Sequence, residues 1–268
     1  MKVIREILKD HYKYRKQIFK LAKADLIKTY KGAALGWAWA VIRPAITIAT
    51  YYFAFSIGLR VSRPVGEYSY FLWLLAGITP WFYFSAVFTA GAGSIRKYSY
   101  LVTKIRYPVS TIPTIINLSQ MVTHFAVLLI VMLLFIFNGH APDIYWLQLP
   151  LYILMLFLFS TAWSLFAGMI SVLSKDFMHL VQSSTMVVFW MSGILYDAGA
   201  INNVFFKRVL HINPITIIVN GYRNAFINKV WFWERAREFR NFGIVFFVMV
   251  LLALWAYKKL VKEIPDVL

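Results

Sequence analysis

The chain has 268 residues, 60% of them hydrophobic and 15% charged, with a net charge of +17. Water-soluble domains are about 45–50% apolar and about 25% charged, so this composition excludes an ordinary soluble protein and directs the basic excess to a membrane surface rather than to nucleic acid. With no cysteine in the chain, disulfides, thiolate catalysis and Cys-based metal centres are excluded as well.

The first twenty residues, MKVIREILKDHYKYRKQIFK, lack the apolar core of a signal peptide, so the first span is expected to insert the protein. At about 100° per residue, Ile4, Ile7, Leu8, Ile18, Phe19, Ala22 and Leu26 share one helical face and lysines occupy the other, with Arg15 and Asp25 interrupting the apolar side. Such a helix is expected to lie in the membrane interface, either as a plain anchor or also as a docking element for a cytoplasmic partner. It runs into LIKTYKGAALGWAWAVIRP, where Gly32, Leu35 and Gly36 read as a hinge and Trp37 and Trp39 as interface markers. Arg43 then falls about 10 Å beyond Trp37 on a helix rising 1.5 Å per residue. It reads either as a snorkelling arginine beside the Pro44 kink or, with Lys28 and Lys31, as a ligand for a phosphate group.

Six segments are apolar over roughly the 20 residues a bilayer requires: Trp37–Leu59, Phe71–Ala92, Val109–Phe137, Leu147–Leu173, Leu180–Tyr196 and Asn241–Tyr257. The expected fold is therefore an all-α integral membrane protein forming one domain over 1–268. Within it, 1–36 is an interfacial helix and hinge, 37–258 a six-span bundle and 259–268 a cytoplasmic tail. Eighteen Lys/Arg fall on the N-terminal side of these spans and nine on the other, which places both termini in the cytoplasm. The segment Asp197–Arg240 remains unusually basic for an outside loop. Its two interrupted apolar pieces read as a re-entrant helical hairpin between spans five and six, the alternative being a seventh span over 214–232.

All eleven Asp/Glu lie in termini or loops without a metal-binding pair, and the five histidines lack ligand spacing, so neither a catalytic nor a metal site is expected. No carboxylate relay crosses the spans and no GxxxxGK[ST] loop is present, so energy for any transport must come from a partner. What the spans do hold is a close-packing stripe, Ser160, Ser164 and Gly168, and a polar face on span three with Thr114, Asn117, Gln120 and His124. That face reads either as interhelical hydrogen bonding or as the wall of a hydrophilic path. Trp37, Tyr51, Tyr52 and Trp81 belong to an aromatic group dense enough to line such a path for a glycan.

The order of a basic amphipathic helix, ALGWAWAVIRP, the basic loop LVTKIRYP and NPITIIVNGYR before the last span resembles the permeases of ABC-2 type polysaccharide exporters. Within that family the segment GLRVSRPVGEYSYFLWLLAGITPWFYF and the ending IPDVL are most similar to exporters of wall teichoic acid in Gram-positive bacteria. Where the family usually carries Arg-Asp after the fourth span, this chain has Lys175-Asp176. The resemblance implies a homodimer in the bacterial plasma membrane and two copies of a separate P-loop ATPase, which binds the ATP and Mg. It also implies a substrate polymer on an undecaprenyl-diphosphate lipid. In this resemblance Ile95–Tyr107 would couple to the ATPase, with Tyr100, Leu101 and Val102 as an apolar knob ringed by Arg96, Lys97, Lys104 and Arg106. The hairpin Ile201–Asn228 would close the outer mouth, broken at Asn213-Pro214 and packed by Tyr222 and Arg223, with Tyr196 beside it. The competing classes are a glycolipid-processing enzyme, disfavoured by the missing carboxylate pair, and an accessory scaffold.

Overall fold

The computed structural model describes residues 2–32, 34–58 and 67–268, so the expected first-span terminus Leu59 and the loop cations Arg60 and Arg63 lie outside it. Twelve α-helices occur among the described residues, and no β-strand. They are α1 (Lys2–Tyr30), α2 (Trp39–Tyr52), α3 (Tyr70–Ala92), α4 (Ser94–Lys97), α5 (Ser99–Thr103) and α6 (Ile112–Phe137). There follow α7 (Leu149–Leu173), α8 (Lys175–Trp190), α9 (Val204–Ile212), α10 (Pro214–Arg223), α11 (Ala236–Leu260) and α12 (Ile264–Val267).

Five stretches are long and apolar enough to cross a bilayer: Gly36–Gly58, Tyr70–Ala92, Val109–Phe137, Ile144–Leu173 and Phe232–Leu260. They coincide with five of the six expected spans. The remaining one, expected over Leu180–Tyr196, is the 16-residue α8, about 24 Å long against a hydrocarbon thickness of about 30 Å. It starts at Ser174, whose hydroxyl caps the Phe177 amide, and ends in a turn over Met191–Tyr196 with Gly193 at φ +61°. No seventh crossing occupies 214–232. There the ten-residue α10 passes into a five-residue wider turn ending at Asn228, and Lys229 adopts left-handed geometry.

α3 is the axis of the bundle: 78% of its most apolar window is buried, against 11% for the first span. It packs against α6, α7, α8 and α10. The Ser160-Ser164-Gly168 stripe of α7 meets α3 where Gly91 has no side chain; a methyl group there would overlap Ser164. Small residues on both helices thus permit the backbone approach.

A second core lies at the end of the bundle that carries α1. Ile18 and Ala22 pack there with Ile95, Leu101, Val102, Met169, Val172 and Tyr257. The amphipathic helix therefore divides its apolar side. Ile18, Ala22 and Leu26 are buried against protein, while Ile4, Leu8 and Phe19 stay exposed. The opposite end of the bundle carries the α6–α7 loop, α9 and the segment leading into α11, which the Gln148 amide ties to the Val230 carbonyl at 3.0 Å.

Candidate functional site

Gly32 and Gly36 adopt φ of +87° and +47°, with open space where a side chain would project. These left-handed conformations are nearly free for glycine alone, and they turn the chain from α1 into the first span. Leu35 between them and Trp37 after them are exposed, and the Trp37 ring lies on Tyr30 at 5.1 Å. Lys28 and Lys31 are exposed at the end of α1.

Beneath α2 lies a cleft of about 200 Å³, lined among others by Tyr30, Arg43, Pro44, Gln120, Thr123 and His124. Arg43 stands with its guanidinium 5.6 Å from the Trp39 ring centre. Pro44 cannot donate to the Ala40 carbonyl, so the helix lacks one of its regular backbone hydrogen bonds beside the same cleft. A second cavity of about 240 Å³ shares Pro44 and Val127 with the first and is lined by Ile48, Phe71, Leu75 and Leu134. The first cavity is lined by a cation and hydrogen-bonding groups, the second is apolar, and the two adjoin at Pro44 and Val127. Lys28 and Lys31 are not among the lining residues of the first, whereas Tyr30 between them is.

The polar face of α6 serves two purposes. Asn117 is buried, accepts from the Tyr83 hydroxyl at 2.9 Å and donates to Ser164 at 3.2 Å and to the Pro113 carbonyl. His124 bonds the Tyr222 hydroxyl at 2.8 Å through Nε2. These are interhelical ties, yet Gln120, Thr123 and His124 also face the Arg43 cleft. Of the aromatic candidates, Tyr51 stacks on Phe189 at 5.3 Å and Trp81 sits 5.2 Å from the same ring, joining α2, α3 and α8. Tyr52 meets Phe71 edge-on. None of these three lines the Arg43 cleft.

In the expected coupling segment, α4 and α5 break at Tyr98, and the break sets which side chains project. Leu101 and Val102 turn inward, 4% and 5% exposed, while Tyr100 is 49% and Ile105 60% exposed. The outward apolar pair is therefore Tyr100 and Ile105, flanked by exposed Lys104 and Arg106. Arg96 donates to the carbonyls of Ser171 and Val172 at 2.8 and 2.7 Å, closing the end of α7. Lys97 donates to Asp25 at 2.5 Å and the Tyr98 hydroxyl to the same oxygen at 2.6 Å. Burial, reinforced by the hydrogen bond to Asp25, pushes the Tyr98 phenol up. Asp25, which interrupts the apolar stripe in sequence, thus fastens α1 to the α4–α5 segment. On the same helix, His11 bonds Thr114 at the start of α6 at 2.8 Å.

At the opposite end, Asn213 caps α10 by accepting from the Ile215 amide and donates to the Met191 carbonyl at 2.7 Å, with Pro214 in the first turn. Arg223, 3% exposed, donates to the carbonyls of Gly193 and Ile194 at 2.8 and 2.6 Å and lies 3.4 Å from the Trp73 ring centre. Its guanidinium occupies the space left by Gly77. Both ends of α10 therefore grip the turn that terminates α8, at Met191, Gly193 and Ile194. Tyr196, the last residue of that turn, donates to the Trp190 carbonyl at the end of α8 at 2.5 Å. Among the described residues no group of three or more His, Asp or Glu could hold a metal ion.

Comparison with known proteins accords with this architecture. The sequence profile of the ABC-2 type transporter family matches residues 16–227. The chain is 24% identical over 221 residues to the O-antigen export system permease protein RfbA of Myxococcus xanthus, covering 82% of this chain and 84% of that one. It is 25% identical over 250 residues to the protein of the same name from Klebsiella pneumoniae, covering 92% and 93%. The matched region runs from α1 through the hairpin, and the chain belongs to the ABC-2 type transporter family as a membrane transport subunit rather than an enzyme.

Proposed function

We propose that this chain is the permease of an ATP-driven exporter that moves a polysaccharide built on an undecaprenyl-diphosphate lipid out of the cytoplasmic leaflet of a bacterial plasma membrane. The working unit is a homodimer with two copies of a P-loop ATPase, which binds ATP and Mg; the chain itself carries no cofactor. Both termini face the cytoplasm, α8 serves as a short fifth of six spans, and α9–α10 form a re-entrant hairpin at the outer mouth. Teichoic acid is the polymer favoured by the resemblance of the sequence.

The observation that carries this reading is the cleft beneath α2. A planar guanidinium offers paired donors to phosphate oxygens, so Arg43 suits a diphosphate in the first cavity. The adjoining apolar cavity along Ile48, Phe71 and Leu134 suits a prenyl chain. Tyr100 and Ile105, offered outward among cations, suit a groove on the ATPase, and the Asp25 tie carries its displacement into α1 and the glycine hinge.

Transport into proteoliposomes containing the ATPase tests the reading. Arg43→Ala should lower export about 10–100-fold, the worth of charged hydrogen bonds of about 1.5–3 kcal/mol, with ATPase binding unchanged. Undiminished export by this variant would refute the role of the cleft. A second reading, export of O-antigen, is favoured by the names of the relatives. Parallel assays with a polyanionic and a neutral polymer on the same lipid separate the two.

A further inference from the structure

Of the seven Lys/Arg between Asp197 and Arg240, two are drawn into the fold and two stand together at the surface. Arg223 is buried on the α8 turn, and Lys229 is ion-paired with Asp143. Lys207 and Arg208 remain at the surface on α9.

Val204, Lys207, Arg208, His211 and Ile212 follow the i, i+3, i+4, i+7, i+8 spacing of one helical face. That face, with Asn241 of α11, lines an open groove of about 420 Å³. Lys207 spends one donor on the Gly199 carbonyl at 3.1 Å, and Asn241 donates to the His211 carbonyl at 3.2 Å. Among the described residues the Arg208 guanidinium and the His211 ring have no hydrogen-bond or ion-pair partner. The carboxylate of α11 that interacts with His211 is Glu238, and Arg235 acts on the same carboxylate more strongly. Cationic charge therefore exceeds anionic charge in the groove. Phe205 and Phe206 beside it are 68% and 46% exposed, apolar area that water would penalise and a bilayer interface would accept.

We propose that the groove between α9 and α11 binds the phosphate of an anionic phospholipid. Arg208 and Lys207 donate to the phosphate oxygens, His211 and Asn241 border the headgroup, and Val204 and Ile212 meet the top of the acyl chains. The exposed phenylalanines favour a lipid over a water-soluble polyanion, which would leave them in solvent. The site stands whatever polymer the chain exports. Its occupation would hold α9 at the bilayer surface and, through Asn213, steady the turn that ends α8.

Native mass spectrometry of the full-length chain tests this with equimolar dioleoylphosphatidylglycerol and dioleoylphosphatidylcholine at low lipid-to-protein ratio. Wild-type protein should retain phosphatidylglycerol preferentially, and Lys207→Gln/Arg208→Gln should retain roughly 10–30-fold less. Lys16→Gln/Lys20→Gln on α1 should leave that adduct in place. Arg208→Lys, which keeps the charge, should stay within about threefold of wild type and guards against misfolding of the double variant. Equal retention of the two lipids, equal loss in the α1 control, or unchanged retention in the α9 variant overturns the site. Displacement of the lipid by soluble polyphosphate at the same phosphate concentration assigns the groove to a polymer and also overturns it.

Discussion

Replacing Lys97 by alanine leaves the Asp25 carboxylate, whose side chain is 2% exposed, with the Tyr98 hydroxyl as its remaining donor. Orphaning a fully buried charge costs about 3–5 kcal/mol. Lys97 is itself 44% exposed, so water reaches the pair and the cost falls to about 2 kcal/mol. Asp25→Asn keeps the volume and an oxygen for Tyr98 and frees Lys97 to turn into solvent, so it should cost about 1 kcal/mol. Once the carboxylate is gone, removing Lys97 should cost almost nothing, and the double variant should resemble Asp25→Asn alone. The coupling is then about 2 kcal/mol, within the range for directly bonded groups. Thermal melting of the purified chain in detergent reads this out. At about 2–4 °C per kcal/mol, Lys97→Ala should melt about 4–8 °C lower and the double variant about 2–4 °C lower. A double variant that loses the sum of the single effects would mean that Asp25 and Lys97 act independently, and α1 would not be fastened to the α4–α5 segment through them.

Three other outcomes follow from the geometry. Tyr100→Asp with Ile105→Asp should reduce co-purification with the ATPase at least tenfold without changing the melting temperature, whereas Leu101→Asp should destabilise the chain itself because it places a charge in the second core. Gly221→Ala would put a methyl group into the Tyr152 ring on α7 and should cost about 2 kcal/mol, measured as a lower melting temperature. Tyr222→Phe strands the buried His124 Nε2 and should cost about 1–3 kcal/mol, and adding His124→Phe should recover part of that loss.

Five spans were legible because about 20 apolar residues in sequence suffice to mark one, and the polar face of α6 was legible because helical spacing collects Asn117, Gln120 and His124. What escaped depended on partners far along the chain. Asp25 reads as a flaw in an amphipathic stripe until Lys97 and Tyr98, more than seventy positions away, are brought to it. The ending of α8 is set by Asn213 and Arg223, so its apolar run overstates its length. The inward turn of Leu101 and Val102 follows from the backbone break at Tyr98, φ −110° and ψ 28°, which shifts the helical phase by an amount no periodicity reveals. Ile105 carried one signal, an isolated apolar residue between Lys104 and Arg106. Arg43 was singled out as an anomaly, but its neighbours Tyr30 and Thr123 come from two other helices and could not be named from spacing.

The Arg223 clamp also bears on how the chain is made. A lone arginine at the centre of a membrane helix resists insertion by about 2.5–3.5 kcal/mol on translocon scales. Here everything that satisfies its guanidinium, the Trp73 ring and the carbonyls of Gly193 and Ile194, precedes it in the chain and leaves the ribosome first. The niche is synthesised before its occupant, so α10 settles into a receptor already in place, and α11 then closes the bundle behind it. Truncation before α11 should therefore still leave a docked hairpin, whereas loss of Trp73 or of the α8 turn should strand it. Biogenesis of this chain is directional, and the helix that carries the buried arginine is the one that must arrive after its receptor.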